Sequence, residues 1–228
     1  MKVGIGITTT PQREYAFNLC RTKISQHTFM DDVVMFSVCD EDNKGVAHQK
    51  NLCLNYLFNI SKCDVVFLFD DDCFPIADGW MEHYINTSNE SKQGHLIYCK
   101  PSINNELVRT ESGVDVFNNC NGCLSFITKE GFEKAGYYNE AFGQYGFEHA
   151  DHSNRINWAG VNTIGMYLCP VNAGRYIYSL DLDSHIPELN IGHKPSIKPA
   201  VALDYIRKAQ KVYMDSLDKK QIYFPFEQ

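Results

Sequence analysis

The sequence contains no apolar stretch that approaches the roughly 20 residues needed to cross a bilayer. The chain starts with an apolar stretch that is too short for the hydrophobic region of a signal peptide and that leads directly into polar residues 8–13. We therefore predict a cytoplasmic protein without a membrane span.

Two common phosphate-binding loops are also missing. No third glycine follows Gly4 and Gly6 at the spacing of a dinucleotide fingerprint, and both glycines fall inside a predicted strand. No GxxxxGK[ST] segment is present, which argues against a P-loop enzyme. A bound nucleotide would instead be held through a metal ion and side chains.

The cysteines do not form a pattern typical of a disulfide framework or a zinc site. Their number, nine, is odd, and several of them lie in apolar runs. Cys120 and Cys123 form a CxxC pair, but no second pair accompanies them, so the zinc or redox signal is weak. We predict reduced thiols in a reducing compartment.

Charge is unevenly distributed over the 228 residues. The net charge of −7 argues against a basic nucleic-acid binder. From Gly192 onward, however, the chain has seven Lys and Arg but only four Asp and Glu, so the net charge is +3 for this tail and −10 for the rest. With 44% hydrophobic residues, no repeat and no obvious linker, the chain is expected to form one domain over 1–228.

The first half alternates predicted strands with predicted helices. The hydrophobic pattern indicates strands at 2–8, 33–39 and 65–69, with helices at 11–24 and 46–60 between them. This order is typical of right-handed crossovers and a mostly parallel sheet. We predict an α/β fold whose residues 1–100 bind a nucleotide.

The second half is expected to complete the pocket. Its predicted strands are shorter than those of the first half, and a glycine- and aromatic-rich loop covers 136–147. A helix is predicted at 150–159 and strands at 95–100, 107–109, 114–117, 123–128, 163–168 and 176–179. We assign 101–198 to an acceptor-binding half and 199–228 to a basic amphipathic helix and tail.

Three carboxylates directly follow the third predicted strand. Its apolar run at 65–69 leads into Asp70, Asp71 and Asp72. Open α/β sheets bind ligands at the carboxyl ends of their strands, and Thr8 and Asp40 follow neighbouring strands. Clustered carboxylates repel each other unless a cation lies between them, and they suit Mg²⁺ or Mn²⁺ held together with substrate phosphates. The alternative is a solvated acidic turn.

A second acidic group opens the predicted helix near residue 150. Glu148 and Asp151 are three residues apart and would share a face of its first turn. Carboxylates there are stabilised by the helix dipole. A simple helix cap is the alternative for Asp151.

These motifs together resemble GT-A fold glycosyltransferases of the family 2 type, with a galactosyltransferase-like acceptor region. Asp70 to Asp72 resembles the DxD motif of that fold. The segment 122–142 resembles its acceptor-side stretch, and 146–151 resembles its "GxED" region. The resemblance covers about residues 3–160, and the order and spacing of the motifs are more specific than any one of them.

On the donor side, the resemblance implies roles in metal binding and in nucleotide binding. Asp72 and Asp70 would hold the metal, with Asp70 near the ribose or sugar as well. The residues implied in nucleotide binding are Thr8, Arg13, Asp40, Lys50, Asp70 and Asp71, with Asp40 at the base or ribose and Lys50 near the diphosphate. His193 or His185 would complete the metal site. The alternative for each is an ordinary surface histidine.

On the acceptor side, Glu148 matches the acidic pair of the family. The second acid of that pair is His149 in this chain, which is a departure from the family pattern. The base that deprotonates the acceptor is therefore open between Glu148, His149 and Asp151.

The resemblance implies a Mn²⁺- or Mg²⁺-dependent, inverting transferase that moves a sugar from a nucleotide donor, with UDP favoured, to a hydroxyl of a glycan or saccharide. One alternative is a phage-type enzyme that glycosylates hydroxymethylated pyrimidines in DNA. A sugar-nucleotidyltransferase would need glycines after the first strand that this chain lacks. A non-catalytic sugar-binding module is the third alternative.

Overall fold

The structure, a computed structural model, describes residues 1–190 and 199–226. Within these ranges the strands are β1 Val3–Thr9, β2 Val33–Cys39, β3 Val65–Asp70, β4 Cys73–Pro75, β5 His95–Ile97, β6 Leu107–Glu111, β7 Val114–Phe117, β8 Leu124–Thr128, β9 Tyr167–Pro170 and β10 Ile177–Ser179. The α-helices are α1 Glu14–His27, α2 Val46–Leu54, α3 Trp80–Ser91, α4 Lys129–Ala135, α5 Glu148–Trp158 and α6 Pro199–Lys219.

The central sheet has the strand order β2-β1-β3-β8-β5. Strand β1 runs parallel to both β2 and β3, so that Ile5 lies between Met35 and Phe67. Strand β8 is antiparallel to β3 and β5, which leaves four of the five strands running in one direction. The α/β architecture with a mostly parallel sheet that the sequence predicts is confirmed.

Alternating side chains of β3 fill two cores on opposite faces of the sheet. Phe67 and Phe69 enter the core that α1 and α3 cover, where the ring of Phe67 meets the edge of Trp80 at 4.8 Å between centroids. Leu68 enters the other core, beneath α2. A strand buried on both faces needs apolar residues at every position, which explains the continuous run in the sequence.

Gly6 serves helix packing rather than nucleotide binding. A Cβ built on Gly6 would lie 2.7 Å from Leu68 Cδ2 and 2.9 Å from Cys53 Cβ. Only glycine at this point of β1 lets α2 approach the sheet so closely, because any side chain would overlap that of Cys53.

We expect Gly6→Ala to lower the free energy of unfolding by about 1–3 kcal/mol, the usual cost of forcing a methyl group into a filled core. Chemical denaturation would measure it. Gly174→Ala is the matched control, since its Cβ would meet nothing closer than 3.7 Å. Equal stability of the two variants would contradict this account of Gly6.

Two elements were not predicted from the sequence. Helix α3 buries Trp80, Met81, Tyr84 and Ile85 in its first half but Thr87, Ser88 and Ser91 in its second half, so its apolar stripe covers only part of its length. Strand β4 has only three residues and exists because β10 pairs with it in antiparallel fashion. The strand predicted at 163–168 forms instead at Tyr167–Pro170, where it joins β7 in a small sheet of order β6-β7-β9.

None of the helices within the described residues is both long and apolar enough to cross a bilayer. All nine cysteines are free thiols, and eight of them are buried.

Candidate active site

A cleft of about 470 Å³ opens where β1, β2 and β3 end. Thr8 and Asp40 line it together with the three consecutive aspartates, Asp70, Asp71 and Asp72. The strand ends that the sequence placed at one sheet edge therefore meet in one cavity.

Arg13 joins two of the three aspartates. Its Nε lies 2.7 Å from Asp71 Oδ1, and its Nη2 donates to Asp72 Oδ2 at 2.8 Å. Thr9 donates to the second oxygen of Asp71 at 2.5 Å, so both oxygens of that buried carboxylate are engaged. Asp71 therefore has a structural role in the site, because Arg13 fixes its position relative to Asp72.

Burial raises the pKa of both paired aspartates in spite of Arg13. The pKa of Asp71 rises to about 6, with Arg13 and Thr9 opposing the effect of burial. The pKa of Asp72 rises to about 8, because burial and then the charges of Asp70 and Asp181 outweigh Arg13. The protein alone therefore disfavours the charged form of Asp72, which a bound cation would stabilise.

The carboxylates of the cleft are suitable ligands for a hard divalent cation whose remaining ligands come from a substrate. Asp70, Asp72 and Asp181 all line the cleft. Among the described residues, no group of three or more His, Cys, Asp or Glu is arranged to hold a metal by itself. Mg²⁺ and Mn²⁺ are commonly bound by one or two carboxylates plus substrate phosphates, which agrees with this arrangement.

His185 is not brought to the cleft. Its Nδ1 lies 3.6 Å from Asp183, and its ring packs against Tyr178. Asp183 in turn accepts hydrogen bonds from Tyr98 and from the Ser179 amide. The prediction that His185 ligates the metal is therefore not supported by its position, and His193 lies outside the described residues.

Asp40 lines the cleft but is largely occupied with its own loop. Its two carboxylate oxygens accept the backbone amides of Lys44 at 2.8 Å and Gly45 at 2.9 Å. These bonds hold the loop between β2 and α2, so the carboxylate shapes the cleft wall.

The resemblance placed Lys50 near the diphosphate, but its side chain does not line the cleft. It is fully buried and extends beneath the floor, with Nζ 3.2 Å from Asp70 Oδ1 and 3.6 Å from Glu148 Oε1. A direct contact with a diphosphate in the cleft is incompatible with this burial.

Glu148 and His149 line the cleft at the start of α5. Glu148 Oε1 lies 3.2 Å from His149 Nδ1, while Oε2 accepts the Gly146 amide at 3.1 Å. A Cβ on Gly122 would lie 2.6 Å from that same Nδ1, so only glycine at 122 allows the imidazole to lie there.

The pKa values of this pair move in opposite directions. Burial alone would raise the pKa of Glu148, but His149 and then Lys50 lower it to about 2. Burial alone would lower the pKa of His149, but its contacts with Cys120 and Glu148 raise it well above its ordinary value. At neutral pH the pair is therefore a carboxylate beside an imidazolium.

Asp151 lies outside the cleft, in a buried ion pair. Its Oδ2 accepts from Arg155 Nε at 2.8 Å within α5, and its Oδ1 accepts from Ser216 of α6. Arg155 also donates to the carbonyls of Ala135 and Tyr137. The structure thus gives Asp151 a structural environment instead of the acceptor-side position that the sequence predicted.

Several cleft residues were missed by the sequence analysis. Asp181 reaches the cleft because β10 pairs with β4 and the Leu180 amide donates to Asp72 O at 2.8 Å. Tyr145, from the loop before α5, and Tyr205, from α6, also line the cleft. The sequence carries no local signal for Asp181 and Tyr205, whereas Tyr145 belongs to the glycine- and aromatic-rich loop that the sequence predicted beside Glu148.

The sequence matches no protein-family model, and no curated protein is significantly similar to it. Solved structures are similar in fold. S. aureus TarS has 10% identity over 94% of this chain and 72% of that chain, with a TM-score of 0.53. The mannosyltransferase PcManGT from Pyrobaculum calidifontis, solved with GDP-Man and Mn²⁺, has 12% identity over 95% and 75%, with a TM-score of 0.52.

The catalytic domain of Drosophila β1,4-galactosyltransferase 7, solved with xylobiose, has 16% identity over 87% of this chain and 76% of that chain, with a TM-score of 0.50. At these identities the likeness concerns the fold. It agrees with the resemblance seen in the motifs of the sequence.

Proposed function

We propose that this chain, which has the GT-A fold, is a metal-dependent glycosyltransferase. It would move a sugar from a nucleoside-diphosphate donor, a UDP-sugar, to a hydroxyl of a saccharide, with inversion at the anomeric carbon. One observation carries the proposal: the aspartates that follow β3 and the Glu148–His149 pair of α5 line the same cleft.

On the donor side, Asp72 and Asp70 would hold Mn²⁺ or Mg²⁺ together with the diphosphate. The cation supplies charge that stabilises the departing nucleoside diphosphate. Arg13 holds Asp72 in place, and Thr8 holds Asp70 through a hydrogen bond of 3.1 Å. Carboxylates with fixed positions keep the donor's leaving group at the same end of the cleft in every turnover.

On the acceptor side, we assign His149 as the base and Glu148 as the group that orients it. Of the two groups the imidazole is the stronger base, because a carboxylate of pKa about 2 has little tendency to take up a proton. The contact of Nδ1 with Glu148 also fixes the orientation of the ring.

This assignment predicts the pH dependence of transfer. Because the pKa of His149 is raised, the imidazole is mostly protonated at neutral pH, and kcat is expected to rise with pH through that pKa. The rise is expected to disappear in His149→Asn. A kcat that is independent of pH above about 5 would indicate that the base is a carboxylate with a pKa in the usual range of Asp and Glu.

The charges of the cleft favour a saccharide acceptor over DNA. Acidic side chains outnumber basic ones along its wall, so a polyanionic backbone would be repelled. Tyr145, which is 43% exposed, and Tyr205 offer apolar ring faces of the kind on which sugar rings stack.

A panel of nucleotide sugars with Mn²⁺ tests the proposal. We expect nucleoside-diphosphate release from one donor, its loss on chelation, and an inverted anomeric signal in the NMR spectrum of the product. GDP-sugars, saccharide acceptors and hydroxymethylated DNA are separate arms. Release of pyrophosphate would indicate a nucleotidyltransferase, and no release with any pair of donor and acceptor would refute the proposal.

A further inference from the structure

Lys50 of α2 contacts three segments that come together only in the folded chain. Its Nζ lies 3.2 Å from Asp70 Oδ1 at the end of β3 and 3.6 Å from Glu148 Oε1 at the start of α5. It also donates to the carbonyl of Gly122, in the loop before β8, at 3.1 Å. One ammonium group therefore joins the donor side and the acceptor side of the cleft.

The environment of Lys50 keeps the ammonium charged. Burial alone would lower its pKa, but Asp70 and Glu148 outweigh burial and raise the pKa above its ordinary value. The ring of Tyr138, 5.7 Å from Nζ, adds a cation–π contact. A buried lysine is stable only with such partners, and here both carboxylate partners, Asp70 and Glu148, line the cleft.

Lys50 is nevertheless separated from any substrate. Its side chain is 1% exposed, whereas that of Asp70 is 30% exposed and lines the cleft. The ammonium lies behind both carboxylates, so it acts on the reaction only through them.

We propose that Lys50 is a positioning residue that fixes the acceptor carboxylate Glu148 relative to the donor carboxylate Asp70. This inference rests on the proposed transfer reaction. Glu148 orients His149, so the bridge sets the distance from the base to the sugar held at Asp70. Attack by the bound hydroxyl depends on that distance, whereas hydrolysis of the donor by water does not require the acceptor side to be in place.

The ratio of transfer to donor hydrolysis therefore tests the bridge. In Lys50→Met we expect transfer kcat to fall about 100-fold, the cost of a misplacement of about 1 Å. Donor KM and nucleotide affinity by calorimetry are expected to stay within about threefold, because Lys50 does not contact the donor. Lys134→Met is the matched control, since it removes a lysine from a surface pair with Glu130.

Two results would overturn the proposal. An unchanged ratio of transfer to hydrolysis would show that the bridge does not position the acceptor side. A loss of nucleotide affinity by tenfold or more, with transfer and hydrolysis falling together, would show that Lys50 serves the diphosphate. If Lys50→Met does not fold, the ratio of transfer to hydrolysis is measured in Lys50→Arg instead. The planar guanidinium of arginine cannot replace a compact ammonium group that lies between two carboxylates.

A measurement independent of catalysis separates this inference from the proposed function. Unfolding equilibrium constants of Lys50→Met, Glu148→Gln and the double variant form a cycle. We expect the product of the two single effects to exceed the double effect by about fivefold or more, as for residues in direct contact. Independent effects would refute the bridge, whereas a wild-type protein inactive on every donor would refute only the proposed function.

Discussion

Asp72→Asn is expected to lower metal-dependent sugar transfer by about 100-fold or more, the range seen when one group that stabilises transition-state charge is removed. The amide keeps the shape of the side chain and its contact with Arg13 but loses the charge that a divalent cation needs. Initial rates of nucleoside-diphosphate release at saturating donor, over a series of Mn²⁺ concentrations, would measure it. Calorimetric titration of Mn²⁺ in the presence of the nucleotide would show the accompanying loss of metal affinity.

Asp78→Asn is the control for the same chemical change outside the cleft. Asp78 pairs with His27, and its side chain is 69% exposed. This variant is expected to keep the wild-type rate. If Asp72→Asn also kept that rate, Asp72 would not be a metal ligand, and the donor side would have to be built on other residues.

Asp151→Asn is expected to lower the free energy of unfolding by about 3–5 kcal/mol, because it leaves Arg155 with an uncompensated buried charge. Arg155 is fully buried and holds Ala135, Tyr137 and Ile222 through their carbonyls. The pair therefore ties α5 to the end of α4 and to the segment that follows α6. Denaturant titration followed by circular dichroism would measure the change.

Asp204→Asn is the matched control, since Asp204 forms the same type of pair with Lys208, four residues on, but at the surface. Its stability is expected to be nearly that of the wild type, as for exposed ion pairs in general. A similarly small effect in Asp151→Asn would mean that Arg155 finds other compensation and that Asp151 is free for another role.

Much of the cleft is predictable because sheet geometry is encoded locally. The continuous apolar run of β3 followed by three aspartates identifies a buried parallel strand and the edge at which it ends. Since parallel strands end at one edge, Thr8, Asp40 and Asp70 were expected to lie together, and they do.

The separation of Glu148 from Asp151 was not predictable from their spacing. Both occupy the first turns of α5, but Glu148 folds back towards the Gly146 amide, and Asp151 turns towards Arg155 one turn later. The pairing of residues four apart on a helix was a signal available in the sequence. The contact of Ser216 with Asp151, which completes that environment, comes from the docking of α6.

The α/β order, the edge at which the aspartates collect and the start of α5 could be predicted from the sequence, because they depend on hydrophobic period and on strand direction. The burial of Lys50 beneath the cleft, the position of Asp151 outside it and the entry of Asp181 into it became clear only from the folded chain. Burial and ion pairing depend on contacts between segments that are far apart in the chain, such as that of Lys50 with Glu148 and that of Asp151 with Ser216. Asp70 at the end of β3 and Glu148 at the start of α5 become neighbours of Lys50 only in the folded chain.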